Sequence, residues 1–450
     1  MKKLLVLAAL ALGACSSAQI DPPATRMQFA DSTLPPVKSF QATRPTRRAT
    51  SNADIARDFL DLHFQLESGR ELPAMTRFEM PVTVRLTGQA NPMISSDLRG
   101  LITRLRNEAG IDIRQVPRAQ SANITIEAVS REDIKRTLPH AACFVVPNVS
   151  SLAEFRRMRR SPKTSWSNLT ERTKMGIFIP ADASPQEARD CLHEELAQSL
   201  GPLNDLYRLS NSVFNDDNVH TVLTDFDMLI LRATYAPELR SGMTRAQVSA
   251  VLPGVLNRMN PAGRGVPSRA IAETPRSWIL DVETALGRGS SEVSRQRAAG
   301  NALRTASTSG WQDHRRAFSH YMVGRSQQAK DPQTARTHFE TAKALLGRSP
   351  DTELHRAYIS TQTAAYDIAR GDGRAALAEL TASINTASRY QNAALLATLM
   401  LLQAEAYDQI GRPEEARRVR LDSLGWARYG FGPDWAVRAK MEEIAALNPL

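Results

Sequence analysis

The stretch SPQEARDCLHEELAQSLGPLND, running from Ser184 to Asp205, is the best-marked helix in the chain. Ser184 and Glu187 form a capping box around Pro185 at the first helical position, and Gly201-Pro202 supplies the stop. The spacing predicts a helix over about Pro185 to Leu200. At roughly 100° per residue, Ala188, Cys191, Leu192, Leu196 and Leu200 form one apolar arc, and Glu195 falls inside it. A carboxylate is thus expected on the core side. Gln198 flanks it at about 60°, Glu194 stands one step further round, and His193 lies roughly opposite.

Working outward, the residues before this helix alternate as strands do. PVTVRLT (Pro81 to Thr87) places Val82, Val84 and Leu86 on one face; a helix from about Ser95 to Glu108 precedes Ile111 to Val116; ANITIEAV (Ala122 to Val129) alternates again. Cys143 to Val146 and Gly176 to Pro180 are further short apolar runs, and a helix from Asp54 to Glu67 precedes them all. The expected fold is an α+β domain, a mixed sheet carrying the 185–200 helix. Between the last two strands lies a basic segment, Arg156, Arg157, Arg159, Arg160 and Lys163, followed by Trp166. It is either a lid or anionic docking site at the cleft, or a solvated charged helix.

Glu194-Glu195-x-x-Gln198-x-x-Gly201-x-x-Asn204-Asp205 resembles the H-E-x-x-H-x-x-G-x-x-H/D signature of metzincin zinc proteases. Ser212-Val213-Phe214-Asn215 and Leu223 to Asp227 look like the turn and closing helix of those enzymes. More closely, Ala53 to Asn257, with EELAQSLG, LNDLY, SVFND and RSGMT, resembles the bacterial domain-of-unknown-function family 2927. That resemblance implies a metzincin-like domain over 51–257, in a family whose members are often lipoproteins.

The departures bear on chemistry. A zincin needs two imidazoles one turn apart on one helix face and a third ligand after the Gly turn. Here those positions hold Glu194, Gln198 and Asn204 or Asp205; His193 is one residue out of register, and Phe214 stands where the turn methionine would be. Oxygen donors suit hard cations better than Zn²⁺, so no zinc is expected. Glu195 occupies the slot of the catalytic base. It either serves as one, or belongs with Glu194 and Gln198 to a polar network that orients the helix, with Gln198 as its hydrogen-bond partner.

Beyond about Gly242 the strand signals stop. Asp331-Pro332-x-x-Ala335-x-x-x-Phe339-x-x-Ala342, Gly371 through Ala376, Leu380 and Ser383, and Gly411 through Ala416 and Ser423 echo one another about every forty residues. These segments look like tetratricopeptide repeats, with Arg420 in the large apolar slot of the third, and imply an all-α helical-hairpin domain over 258–450 that binds a protein or peptide partner. Trp278, Trp311, Trp426 and Trp435 are expected to fill its core. No phosphate loop, dinucleotide fingerprint or metal-spaced cysteine pair occurs, so no cofactor and no nucleic-acid partner is expected.

The N-terminus reads as an export signal over 1–14: Lys2 and Lys3, an apolar run from Leu4 to Leu12, then Leu12-Gly13-Ala14-Cys15, which resembles a lipobox. The resemblance implies acylation of Cys15 and anchoring in the cell envelope, with Ser16 favouring the outer membrane facing the periplasm. Residues 15–50, rich in Pro, Ser, Thr and Arg, are expected to be a flexible tether. The net charge of +10 suits either an anionic surface or plain solvation. Of three cysteines, Cys143 and Cys191 remain, and in an oxidising compartment they are expected to pair, free buried thiols being the alternative. Two functions follow: a non-catalytic envelope lipoprotein that binds a partner, or a hydrolase using Glu195 as general base. The first is favoured, because loss of both imidazoles removes what polarises a carbonyl.

Overall fold

The computed structural model describes residue 32 and residues 34–40, 50–287 and 289–448. The export signal, Cys15 and most of the tether lie outside the described residues. Helix α1 (Asn52–Phe64) leads into β1 (Val82–Gly88), α2 (Pro92–Ala109), β2 (Ile113–Gln115), β3 (Ile124–Val129), α3 (Arg131–Thr137), β4 (Phe144–Pro147), α4 (Leu152–Met158), β5 (Met175–Pro180) and α5 (Pro185–Leu200). The strands lie in the order β2-β1-β3-β5-β4. The first four are parallel, and β4 runs antiparallel to β5 at the edge.

Register explains why the sheet holds. Val84 pairs with Ile124 and Leu86 with Ile126, while Ile124 pairs with Met175 and Ile126 with Ile177, so the apolar alternation of each strand meets that of its neighbour on one face. That face packs with α1, α2 and α5 in the main core, where Leu62, Leu98, Leu105, Leu192, Leu196 and Leu200 are fully or almost fully buried. Each such side chain contributes about 1.5–3 kcal/mol. The opposite face is covered only near the edge, by a small core of Ile134, Phe144, Val146, Leu152, Phe155 and Phe178.

That second core rests on α3 and α4, which periodicity alone does not reveal. Each has seven residues, too few turns for a 3.6-residue period to register. Their caps are legible: Ser130 accepts from the amide of Asp133, and Ser151 from that of Glu154. Cys143, just before β4, is disulfide-bonded to Cys191 on α5, with the Cα atoms 5.9 Å apart. Closing a loop of 48 residues stabilises by about 3–4 kcal/mol on the chain-entropy model.

Helices α6 (Asp225–Thr234) and α7 (Arg245–Met259) complete this layer, α7 packing along α1. An all-helical array follows: α8 (Arg276–Leu286), α9 (Glu292–Thr308), α10 (His314–Gln327), α11 (Pro332–Arg348), α12 (Glu353–Ala369), α13 (Gly373–Arg389), α14 (Ala393–Gln409), α15 (Pro413–Phe431) and α16 (Asp434–Ala445). Consecutive helices pair as hairpins, and the three echoing segments are the second helices α11, α13 and α15. Their small residues do what the spacing implied. Ala335, Ala342, Ala376 and Ala416 are fully buried, and a Cβ added at Gly324 would come within 2.7 Å of the Phe339 ring, so these helices approach very closely. Arg420, in the third echoing segment, pairs with Glu405 at 2.8 Å and Asp408 at 2.7 Å on α14.

Two expectations need correction. Trp435 is 73% exposed, whereas Trp278 and Trp311 are buried. It lies on α16, where Val437 and Ile444 take the inward arc and leave the second helical position facing out. The other concerns the end of the tether, which is packed rather than free: Lys38 donates its amide to Gly425, Arg428 donates to the Pro35 carbonyl at 2.8 Å, and Phe40 stacks on Trp426 at 4.5 Å. Extended chain docked on a helix carries no periodicity, so composition alone reads it as linker.

Candidate functional site: an acidic cleft

Helix α5 is buried on nearly every side. Its apolar arc faces the sheet, while α2 and α15 cover other flanks. Gln186 and Arg189 reach the helical array, Gln186 donating to Asn392 at 3.1 Å and accepting from the Ala394 amide at 2.9 Å. His193, expected opposite the arc, is also buried. Its Nδ1 accepts the amide of Leu223 at 3.1 Å, and burial pushes the ring well below its usual pKa, so it is a neutral structural acceptor turned away from the signature positions.

The C-terminus of α5 is held by an arginine that motif reading passes over. Arg172, 1% exposed, donates to the carbonyls of Gln198 and Gly201 and to Thr76 Oγ1, and its guanidinium lies 5.4 Å from the Trp166 ring. Burial lowers its pKa to about 10, so it stays cationic, and the negative end of the helix dipole is its compensation. Gly201 stops the helix for steric rather than conformational reasons. Its φ of 179° is ordinary extended backbone, but a Cβ there would come within 2.7 Å of Thr234 Cγ2 and 3.0 Å of His63 Nε2.

Below the site, the turn at 212–215 is pinned by Asp227, which is fully buried. Asp227 accepts from the amides of Val213 and Thr224 and from the hydroxyls of Ser212 and Thr224. Burial still raises it to about 6, against those hydrogen bonds. Phe214, in the place of the turn methionine, is completely buried in the main core.

These supports frame a cleft of about 670 Å³. Glu194, Glu195 and Gln198 of α5 line it, with Asp205 from the following loop, and so do Cys143 and Trp166. Glu195 is 5% exposed, and its Oε2 has no hydrogen-bond partner among the described residues. The expected bond from Gln198 is therefore not made to that oxygen, and no hydrogen-bonded network joins the three side chains as anticipated. Asn204 and Asp205, alternatives for one position, part ways: Asn204 donates to the Asp61 carbonyl of α1 at 3.1 Å, whereas Asp205 enters the cleft. Three acids not singled out from the sequence join them at the rim: Glu67 after α1, Asp216, and Glu283 of α8. The array thus contributes to the site.

Burial and mutual repulsion dominate its electrostatics. Glu194 is pushed up to about 8, first by burial and then by Asp216 and Glu67. Glu195 and Asp205 are held well above the usual carboxylate range by burial and then by Glu194. Glu67 is raised as well, first by burial and then by Asp216. Glu67, Asp216 and Glu283 are exposed in the folded chain, so solvent moderates these effects at the rim. The basic segment takes no part: Arg156, Arg157, Arg159, Arg160 and Lys163 are exposed and do not line the cleft, and Arg156 pairs with Asp133 at 3.0 Å.

The donor set does not fit zinc. It offers carboxyls, the amides of Gln198 and Asn218 and one imidazole, His140, not the two imidazoles one turn apart on a helix that a zincin needs, and His193 of α5 is engaged with Leu223. Residues 52–254 match the model of a family described as "Protein of unknown function (DUF2927)". No curated protein matches the chain significantly.

Proposed function

We propose that this chain, whose matching family has no assigned function, is a lipid-anchored envelope protein with a non-catalytic, protease-like recognition domain and a helical-repeat interaction domain. The observation that carries the reading is the state of Glu195. A general base must be ionised and within reach of the proton it takes. Glu195 is buried, unpartnered at Oε2, and held well above the usual carboxylate range by burial and then by Glu194, which disfavours the ionised form that a base needs. Together with the donor set at Glu194, Gln198 and Asp205, this leaves the cleft equipped to bind rather than to activate water. The protease-like ancestry is supported by the antiparallel edge strand beside α5 and the buried turn at Ser212–Asn215. The hairpin array supports a tetratricopeptide-like partner surface.

Two measurements test the proposal. Glu195→Gln is expected to leave peptide turnover at the background of the wild-type chain while shifting its unfolding midpoint. A wild-type peptidase rate that falls by about a hundredfold or more in the variant, at an unchanged midpoint, would establish the hydrolase reading instead. Cys15→Ser is expected to move the protein from the membrane to the soluble fraction, because the apolar run of the signal is too short to span a bilayer. Among the described residues no helix is long and apolar enough to cross a membrane. Wild-type membrane fractionation by the variant would remove the anchor from the proposal.

A further inference from the structure

The cleft is built of acids with little to answer them. Glu194 and Glu195 come from α5, Asp205 and Asp216 from the loop that follows, Glu67 from the turn after α1 and Glu283 from α8. His140, from the connection before β4, is the remaining titratable side chain on the wall, and among the described residues no Lys or Arg lines the cleft, in a chain whose net charge is +10. Partial answers exist only behind the rim, where Arg276 lies 3.5 Å from Glu283 and the Tyr207 hydroxyl donates to Asp216 at 3.1 Å. Deeper in, two oxygens lack a hydrogen-bond partner, Oε2 of Glu195 and Oδ1 of Asp205. A buried acceptor left unpaired is unfavourable, and a fold that keeps two in one cavity has left room for a donor to arrive from outside.

We propose that this cleft receives a cationic organic group, a guanidinium or ammonium carried on a peptide, and that its entry expels protons from the carboxyls. The inference rests on the binding reading above and names its ligand class. A single metal ion needs several donors converging within about 2.6 Å. Among the described residues no group of three His, Cys, Asp or Glu side chains is placed to do that, and the acids are spread around a cavity of about 670 Å³. A guanidinium presents five N–H donors in a planar fork, which suits several carboxylates set apart, and Trp166 adds an aromatic wall. The proton balance follows. Each neutral carboxyl that becomes the partner of the incoming cation loses its proton to solvent, so N⁺–H with HOOC becomes N⁺–H with ⁻OOC plus H⁺. Raising the pH removes that proton beforehand, and binding tightens.

The test is calorimetric titration of the full-length chain in detergent with a tri-arginine amide, in two buffers of different ionisation heat. Expected are a heat that changes with buffer, and an affinity rising by about tenfold or more from about pH 6 to about pH 8. Binding should be lost to a neutral tri-citrulline amide of the same shape. Glu283→Gln, at the exposed rim and safe for folding, should weaken binding several-fold, and Glu195→Gln should reduce the protons released. Equal binding of the citrulline peptide, a buffer-independent heat, or no binding of tri-arginine at about pH 8 overturns the inference. Calcium chloride that binds the cleft and displaces the peptide overturns it in favour of a hard cation, leaving the binding function intact. Cleavage of the peptide would overturn the non-catalytic reading while cation recognition stands.

Discussion

Arg172→Leu is expected to destabilise the chain by about 3 kcal/mol, the largest loss among the single substitutions considered, although Arg172 belongs to no motif. The substitution leaves the carbonyls of Gln198 and Gly201 without their guanidinium donors at the end of α5, deep in the protein. Each buried orphan costs about 1–3 kcal/mol, and relief from burying the cation offsets part of that sum. Thr76 and the Trp166 ring lose their partner too. A chemical-denaturation midpoint corresponding to a loss below about 1 kcal/mol would show that water replaces the guanidinium, contrary to its depth. Because α5 carries Glu194 and Glu195, the variant should also loosen the cleft, read as faster hydrogen exchange at the last turn of α5.

Glu194→Gln should do the reverse and stabilise the protein, more so at higher pH. The carboxyl of Glu194 has an ordinary value of 4.5 and is raised to about 8 in the folded chain. A group raised on folding supports stability fully below its unfolded value and loses that support as pH climbs through the folded one. In the wild type this loss therefore accumulates between 4.5 and about 8, and the amide does not incur it. At about 1.4 kcal/mol per pH decade the full span is several kcal/mol; with Glu194 partly open to solvent, about 2 kcal/mol is expected above about pH 8. That corresponds to a melting temperature roughly 4 °C higher. The difference should shrink steadily toward about pH 6. Below that, His220 and His314, both lowered to about 4 by burial, begin to destabilise variant and wild type alike as the unfolded chain takes up protons. A variant less stable than wild type at all pH values, or a difference independent of pH, would mean that Glu194 is ionised and paired.

Much of the fold was legible because it is written locally. The 185–200 helix announces itself by Ser184, Pro185, Glu187 and Gly201, all short-range signals, and the structure places it at Pro185–Leu200. The alternation of Val82, Val84 and Leu86 and of Ile124, Ile126 and Ala128 is likewise a property of neighbouring residues, as is the repeat of small and large residues on α11, α13 and α15. The pairing of Cys143 with Cys191 followed from counting the thiols on the expectation of an oxidising compartment.

The site was legible only along α5. Glu194, Glu195 and Gln198 share a helix, so their common direction follows from 100° per residue. Nothing local says that Glu67, Asp216 and Glu283 meet them, since those acids are brought in by the turn after α1, a loop held by Asp227 and a helix of the C-terminal array. Nor does the spacing choose between Asn204 and Asp205, which differ by one position and by what lies opposite. Asn204 finds the carbonyl of Asp61, and Asp205 enters the cleft that Glu67 also lines, both Asp61 and Glu67 lying more than a hundred residues upstream.

By itself, then, the sequence determined the longer elements and their order, the inward carboxylate of α5 and the disulfide, because hydrophobic period, capping and thiol chemistry act over a few residues or need only a count. Tertiary structure alone decided that six carboxyls share one cleft, that Arg172 secures the end of the helix that carries two of them, and that the end of the tether lies on α15. Charge interactions, desolvation and steric approach depend on distance through space, and the chain acquires those distances only when it packs.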